Sequence, residues 1–321
     1  MGLRLKAINL VLRLGVKPVL NRMKTPQDLR QRFERDAARF FQTPEDAQVV
    51  TDAIRRKGEP RRVGMIDALW VSARRPDRRK VILYLHGGAF VAGSPRTHRH
   101  LAAALSAAAG ARVIVPDYRL APEHKHPAAA MDALAAYRHL LDAGYGPEDV
   151  ALAGDSAGGG LCFSVLLAAR KAGLPRPAAV AAFSPWVDLT GESKSLKRNA
   201  NRDVLLPVRR MEEVVNFYLG QADRRDPLAS PVFAAWHNPP PALIMASKSE
   251  ILADDALALA EALRAAGGDV QLELWKDLPH AWPLLTGWLE EARQAVASTG
   301  AYLARHLGAD TAVPPATEAA R

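Results

Sequence analysis

Short apolar runs, most of them without polar alternation, recur along this chain, and helical patterns separate them. The runs are "VILYLHGGAF" (81–90), "RVIVPDY" (112–118), "VALAG" (150–154), "AAVAAFSPW" (178–186), "PALIMAS" (241–247) and "VQLELW" (270–275). Helical patterns fall at 97–109, 127–143, 157–172, 254–266 and 283–307. A continuously apolar strand is covered on both faces, and such strands alternating with helices specify an α/β fold with a mostly parallel sheet. Residues 187–235 break the rhythm with "LTGESKSLKRNANRDVLLP" and then a helix near 208–219. They read as an insertion over the C-terminal edge of the sheet, where α/β folds bind ligands.

The N-terminal 60 residues read as helical. In "LRLKAINLVLRLGVKPVL" (3–20), Lys6, Asn9, Arg13 and Lys17 form one stripe and apolar residues cover the rest. The wide apolar arc is expected to pack on the body of the protein, with a membrane surface as the alternative partner. "PQDLRQRFERDAARFF" and "PEDAQVVTDAIRRKG" read as two further helices starting at Pro26 and Pro44. The organisation is then a helical segment at 1–60, core at 61–186, insertion at 187–235, core at 236–308 and a disordered tail at 309–321.

Gly154-Asp155-Ser156-Ala157-Gly158 sits where an apolar strand passes into a helix. The match to G-x-S-x-G carries weight because of that context. Small residues on both sides let the backbone turn sharply and lift the serine oxygen above the sheet edge, and the helix N-terminus aims N–H groups at an anion forming there. Earlier in the chain, His86-Gly87-Gly88-Ala89-Phe90 follows another strand. Amides of Gly87 and Gly88, with that of Ala157, could converge on an oxyanion. His86 reads as a hydrogen-bonding prop for the glycine loop. Asp155 reads as a residue that shapes the loop rather than as a member of a triad, and it is a candidate substrate contact.

A serine nucleophile needs a base, and the base needs an acid. Of nine histidines, His280 in "WKDLPHAW" alone follows a late strand in a loop. Glu250, Asp254 and Asp255 are the candidate acids. Glu250 is favoured because it lies in the loop just past a strand, whereas Asp254 and Asp255 open a helix where capping explains them; Asp254 stands second. The chain order Ser156, Glu250, His280 is the one an α/β-hydrolase requires. Phe90, Trp186 and Trp282 adjoin these motifs and are candidate pocket walls, with Leu205 and Phe217 as candidates from the insertion.

The net charge of +9 is uneven: residues 1–80 carry 20 Lys+Arg against 9 Asp+Glu, and the rest is near neutral. A body near neutrality excludes a nucleic-acid groove across the fold. The single Cys162 excludes an internal disulfide and a cysteine zinc site. No stretch approaches the ~18 apolar residues of a membrane span, and the first 20 residues do not read as a signal peptide, so the expected location is cytoplasmic.

Together, "HGGAF", "DYRLAPEH" (117–124), "GDSAGG" (154–159) and "SEILADD…LPHAW" (249–282) resemble the hormone-sensitive-lipase-like, or bacterial type IV, esterases of the α/β-hydrolase fold. "SPWVDLTGES" (184–193) and "DPLASPVF" (226–233) agree with it. The resemblance implies a cap made from the N-terminal helices and the insertion, an HGG oxyanion loop, and a triad of Ser156, a late acidic residue and His280. It also implies hydrolysis of small carboxylic esters without a metal or other cofactor. Two positions depart from the pattern. Glu250-Ile251-Leu252 replaces a common D-P-L, and Ala89 replaces a third glycine, keeping its amide donor if φ there is negative. Asp117, Arg119 and Glu123 are expected to fix their loop through ion pairs, and His124 is not a second base.

The expected partner is a small-molecule ester in a two-step acyl transfer that fails below about pH 6 to 7, where imidazole protonates. Amide or carbamate hydrolysis on the same triad, and a non-catalytic receptor on the same fold, are the alternatives. A homodimer and weak membrane-surface contact through residues 1–20 stay open.

Overall fold

In the computed structural model, which describes residues 2–59, 64–73 and 75–308, the apolar runs form six strands of an eight-stranded sheet, the last of them, 270–275, at one edge. The strands are β1 (Gln48–Arg55), β2 (Met65–Ser72), β3 (Asp77–Leu85), β4 (Ala111–Pro116), β5 (Val150–Asp155), β6 (Ala179–Phe183), β7 (Ala242–Ser247) and β8 (Val270–Trp275). Their spatial order is β1-β2-β4-β3-β5-β6-β7-β8. The ladders from β4 through β8 are parallel, while β1–β2 and β2–β4 are antiparallel. β5, β6 and β7 are buried along their whole length, which is why they show no alternation in sequence.

Two apolar cores lie on opposite faces of the sheet. On one face pack α5 (Ala128–Asp142), α6 (Ser156–Lys171) and α9 (Ala253–Ala265). On the other pack α4 (Pro95–Ala109) and α10 (Glu290–Leu307). From β3 the chain moves outward to β4, and from β5 it moves the other way, so strand order reverses between β3 and β5. Leu85 and Gly154 pair side by side at the C-terminal ends of these strands. The His86-Gly87-Gly88 loop and Ser156 therefore emerge next to each other at the crevice that such a reversal creates.

The structure corrects the N-terminal reading in three places. α3 (Pro26–Phe40) forms as predicted, with Thr25 Oγ1 accepting from the Asp28 N–H at 3.1 Å. The predicted helix from Pro44 does not form. Residues 48–55 are β1, paired residue for residue with β2. The β-branched Val49-Val50-Thr51 suits an edge strand, and pairing outweighs the charged, helix-like composition around it. β2 is a strand that the run of apolar segments did not include, although its start alternates, with Ile66 and Ala68 buried and Met65 and Asp67 exposed. The helical segment consequently ends at Phe40 rather than at residue 60. α10 likewise starts at Glu290, because Trp282–Leu285 form a separate 3-10 turn. The predicted disordered tail lies outside the described residues.

The N-terminal helix meets the body with only part of its apolar arc, and with polar residues as well. α1 (Leu3–Val11) and α2 (Lys17–Arg22) join through a π-helical turn at Leu12–Val16. Underwinding by i→i+5 bonds lets residues at four-residue spacing stay in line. Asn9 donates to the Asp277 carbonyl at 2.9 Å, Arg13 to that of Arg202 at 3.2 Å, and Lys17 to those of Ala200 and Asp203 at 3.0 and 2.7 Å. Asn9, Arg13 and Lys17 fasten this helix to the body together with Leu5, which is buried in the core, and Ile8, which packs against it; the rest of the apolar arc, Leu3, Leu10, Val11 and Leu14, faces outward. Among the described residues no helix is long and apolar enough to cross a membrane.

Candidate active site

β5 delivers Asp155 to the sheet edge, and α6 begins at the next residue. Ser156 takes the left-handed region at φ 54°, a conformation that costs of order 1–3 kcal/mol in a non-glycine residue. The turn closes this tightly because Gly158 has no side chain: a Cβ there would lie 2.0 Å from the Leu85 carbonyl oxygen. The Ser156 carbonyl accepts from the Trp186 N–H at 3.0 Å, which pins the turn to the loop after β6. Ser156 keeps 8% of its surface exposed within otherwise buried surroundings.

His280 and Glu250 meet at the same edge. His280 Nδ1 lies 2.6 Å from Glu250 Oε2, and Glu250 Oε1 accepts from the Ser247 N–H at 2.8 Å. Both residues are buried. Burial lowers the basicity of the imidazole, but its hydrogen bond to Glu250 and that carboxylate's charge outweigh this, so the His280 pKa stands above its ordinary value. With Nδ1 engaged by a carboxylate, Nε2 is the free basic nitrogen; it is buried and has no hydrogen-bond partner among the described residues. Asp254 instead pairs with Arg198 on the surface at 2.5 Å. Asp255 accepts from the N–H groups of Val187 and Asp188 and from the Ser193 hydroxyl, tying the insertion to α9.

The glycine loop differs from expectation in its donors. The Gly87 N–H points at Asp155 Oδ1, 3.0 Å away, and is already engaged. The amides of Gly88, Ala89 and Ala157 have no acceptor among the described residues. Gly88 sits at φ 125°, and a Cβ there would meet the Ala92 carbonyl oxygen at 2.1 Å, so the loop can turn only with glycine. Ala89 is at φ 56°, not at a negative φ, because the turn that bonds the Val91 and Ala92 N–H groups to the Gly88 carbonyl needs left-handed residues.

Asp155, expected as a substrate contact, is instead a buried prop of this loop, its carboxylate turned to partners inside the fold. Its Oδ1 accepts from the Tyr84 hydroxyl at 2.7 Å as well as from Gly87, and His98 Nε2 lies 3.4 Å away. Burial alone would raise its pKa, but His98 and the Tyr84 hydrogen bond hold it below the ordinary carboxylate value. His86 stays neutral, its pKa pushed down to about 3 by burial and by His98. Its Nδ1 lies 2.9 Å from the Gly87 carbonyl, and its ring stacks on Tyr118 at 4.1 Å.

The candidate wall residues divide. Phe90 stacks on Tyr218 of α8 (Val208–Leu219) at 3.8 Å between ring centres and lies 5.9 Å from Trp186, so these rings join the glycine loop to the insertion. Leu205 and Phe217 are half-buried in the insertion. Trp282 is a correction: it is fully buried in the core beneath α4 and α10, 5.8 Å from Trp275. Trp282→Ala should therefore cost about 3–5 kcal/mol of stability in urea denaturation and leave the acyl-chain preference of the surviving enzyme unchanged. In the 117–124 block, Arg119 pairs with Asp132 and Glu123 with Arg30 of α3. Asp117 forms no such pair among the described residues; burial and the charges of Asp67 and Glu34 raise it to about 6.

Several supports had no sequence signal. Asp203 accepts from the Ile251 N–H at 2.9 Å, Asn199 donates to the Glu250 carbonyl at 2.7 Å, and Ser184 Oγ accepts from the Ala281 N–H at 3.1 Å. These residues brace both sides of the Glu250–His280 pair from distant parts of the chain.

A family model described as the alpha/beta hydrolase fold matches residues 82–284. An acetyl-hydrolase of Streptomyces hygroscopicus is 45% identical over 77% of this chain and 82% of its own. The chain belongs to the hormone-sensitive-lipase-like esterases of the α/β-hydrolase fold. A crystal structure of EstE5, soaked with p-nitrophenyl butyrate, superposes with a TM-score of 0.89 at 37% identity, covering 96% of this chain and all of that one. An esterase from the bacterial hormone-sensitive lipase family superposes at 0.88 with 38% identity, over 96% and 99% of the two chains. Like these relatives, the protein is a serine ester hydrolase.

Proposed function

We propose that Ser156, His280 and Glu250 hydrolyse carboxylic esters of short- to medium-chain acids through an acyl-enzyme. The observation that carries this reading is the Glu250–His280 hydrogen bond at the sheet edge where the strained turn presents Ser156. Substrate seating brings the Ser156 hydroxyl onto His280 Nε2, a contact that tightens on binding in many such sites. Ser156 Oγ attacks the ester carbonyl as His280 takes its proton. The N–H groups of Gly88, Ala89 and Ala157 receive the oxyanion, each worth about 3 kcal/mol in barrier height. Gly87 drops out of this set because its amide is engaged. His280 then protonates the alkoxide leaving group, and water repeats the cycle on the acyl-enzyme to release the acid.

Phe90 and Trp186, with Leu205 and Phe217 of the insertion, bound the acyl space in this reading. The names of the Streptomyces acetyl-hydrolase and the p-nitrophenyl butyrate soaked into EstE5 support small acyl groups. Hydrolysis of p-nitrophenyl esters from acetate to laurate tests it. Turnover should peak between acetate and the medium chains and fall towards laurate. A rate that rises steadily to laurate, or no turnover across the series, would contradict the proposal.

A further inference from the structure

The N-terminal helix is held to the body by Asn9, Arg13, Lys17 and the buried Leu5, and its opposite side faces outward. Leu3 is 85% exposed, Leu10 56%, Val11 64% and Leu14 68%, while only Leu5 of α1 is buried. Ten large apolar side chains are exposed among the described residues, and four of them fall within these twelve positions, so the apolar exposure of the surface is concentrated here. Leu3, Ala7, Leu10 and Leu14 follow the three- and four-residue spacing of one helix stripe. Arg4 and Lys6, both exposed, accompany it. Between residues 2 and 24 the chain carries Arg4, Lys6, Arg13, Lys17, Arg22 and Lys24 and no Asp or Glu.

We infer that residues 3–14 are a docking face for the surface of an anionic phospholipid bilayer. An apolar stripe accompanied by cations alone has the character of an interfacial helix: the leucines enter the acyl boundary and the cations meet anionic headgroups. A second copy of this chain is the poorer occupant, because pairing two such helices sets cations against cations with no carboxylate to offset them. The face is also coupled to the active site. Asn9 holds the carbonyl of Asp277, three residues before His280, and Lys17 holds that of Asp203, whose carboxylate braces Ile251 beside Glu250. A docked molecule would therefore hold the loops of its catalytic base and acid at a fixed attitude to the lipid surface. This goes beyond the ester hydrolysis proposed above and can fail independently of it.

Co-sedimentation with vesicles tests the face, using phosphatidylcholine alone or mixed with phosphatidylglycerol, at low and high salt. The wild type should bind the phosphatidylglycerol vesicles, release with salt, and bind phosphatidylcholine weakly. L10Q/L14Q should lower the partition coefficient roughly tenfold or more. Its turnover of soluble p-nitrophenyl acetate should match the wild type, which shows that the fold is intact. Absence of wild-type binding to phosphatidylglycerol vesicles would overturn the inference, as would equal binding by L10Q/L14Q. So would a wild-type dimer in sedimentation velocity that L10Q/L14Q converts to monomer, since a second copy would then cover the face. Loss of turnover in both proteins with vesicle binding retained would count against the triad and not against the docking face.

Discussion

Ser156→Ala should lower turnover of p-nitrophenyl acetate by at least ~10⁴-fold, towards the residual rate that an oxyanion site supports without a nucleophile. The thermal midpoint should move little. Among the described residues the Ser156 hydroxyl makes no hydrogen bond, and alanine at φ 54° bears much the same backbone strain as serine. Substrate affinity should survive, because the Gly88, Ala89 and Ala157 amides and the Phe90–Trp186–Tyr218 rings stay in place. The two results must be read together. Activity lost with the midpoint unchanged assigns the chemistry to the oxygen. A mutant that retains a tenth of the wild-type rate would place the nucleophile elsewhere and remove the basis for the acyl-enzyme.

Glu250→Gln should lower kcat by roughly 10³- to 10⁴-fold, because an amide opposite Nδ1 favours the wrong imidazole tautomer and cannot stabilise the imidazolium. It should also move the acid limb of the kcat/KM profile. In the wild type, burial depresses the His280 pKa and Glu250 more than restores it, so the net direction is upward. Activity is then lost as pH falls through a point above the ordinary histidine value. With glutamine at 250 the burial penalty remains, the main raising influence is gone and only the weaker ones of Asp203 and Asp155 are left, so the residual activity should persist to lower pH. Profiles between about pH 4.5 and 9 for wild type, Glu250→Gln and Asp254→Asn would check this. Asp254→Asn should keep kcat within a few-fold, since it loses only the exposed pair with Arg198, a contact of the kind usually worth under about 1 kcal/mol. If the acid limb of Glu250→Gln coincides with that of the wild type, Glu250 does not set the basicity of His280.

Local chemistry was enough to make much of this protein legible. The unalternating runs that became β5, β6 and β7 had to be covered on both faces, and that requirement implied the parallel sheet. Gly158 and Gly88 mark places where the backbone passes too close to a carbonyl oxygen for any side chain. Ser156, Glu250 and His280 could be picked out because each follows a strand end in the order the fold requires.

Tertiary structure decided what depends on partners remote in the chain. Whether residues 48–55 form helix or strand turned on β2 being beside them, and no window of local sequence contains that pairing. Whether Gly87 or Ala89 offers its amide turned on the Asp155 carboxylate, 68 residues further on. Trp282 lies two residues from His280 in sequence yet points into the core, because its direction is set by the packing of α4 and α10. The N-terminal helix shows the same limit most plainly. Periodicity gave its two sides, but carbonyl groups at Ala200, Arg202, Asp203 and Asp277 drew Asn9, Arg13 and Lys17 inward beside Leu5 and left Leu3, Leu10 and Leu14 outside. A pattern of residues states which side chains share a face; which face turns inward depends on the unsatisfied groups of the surface it meets.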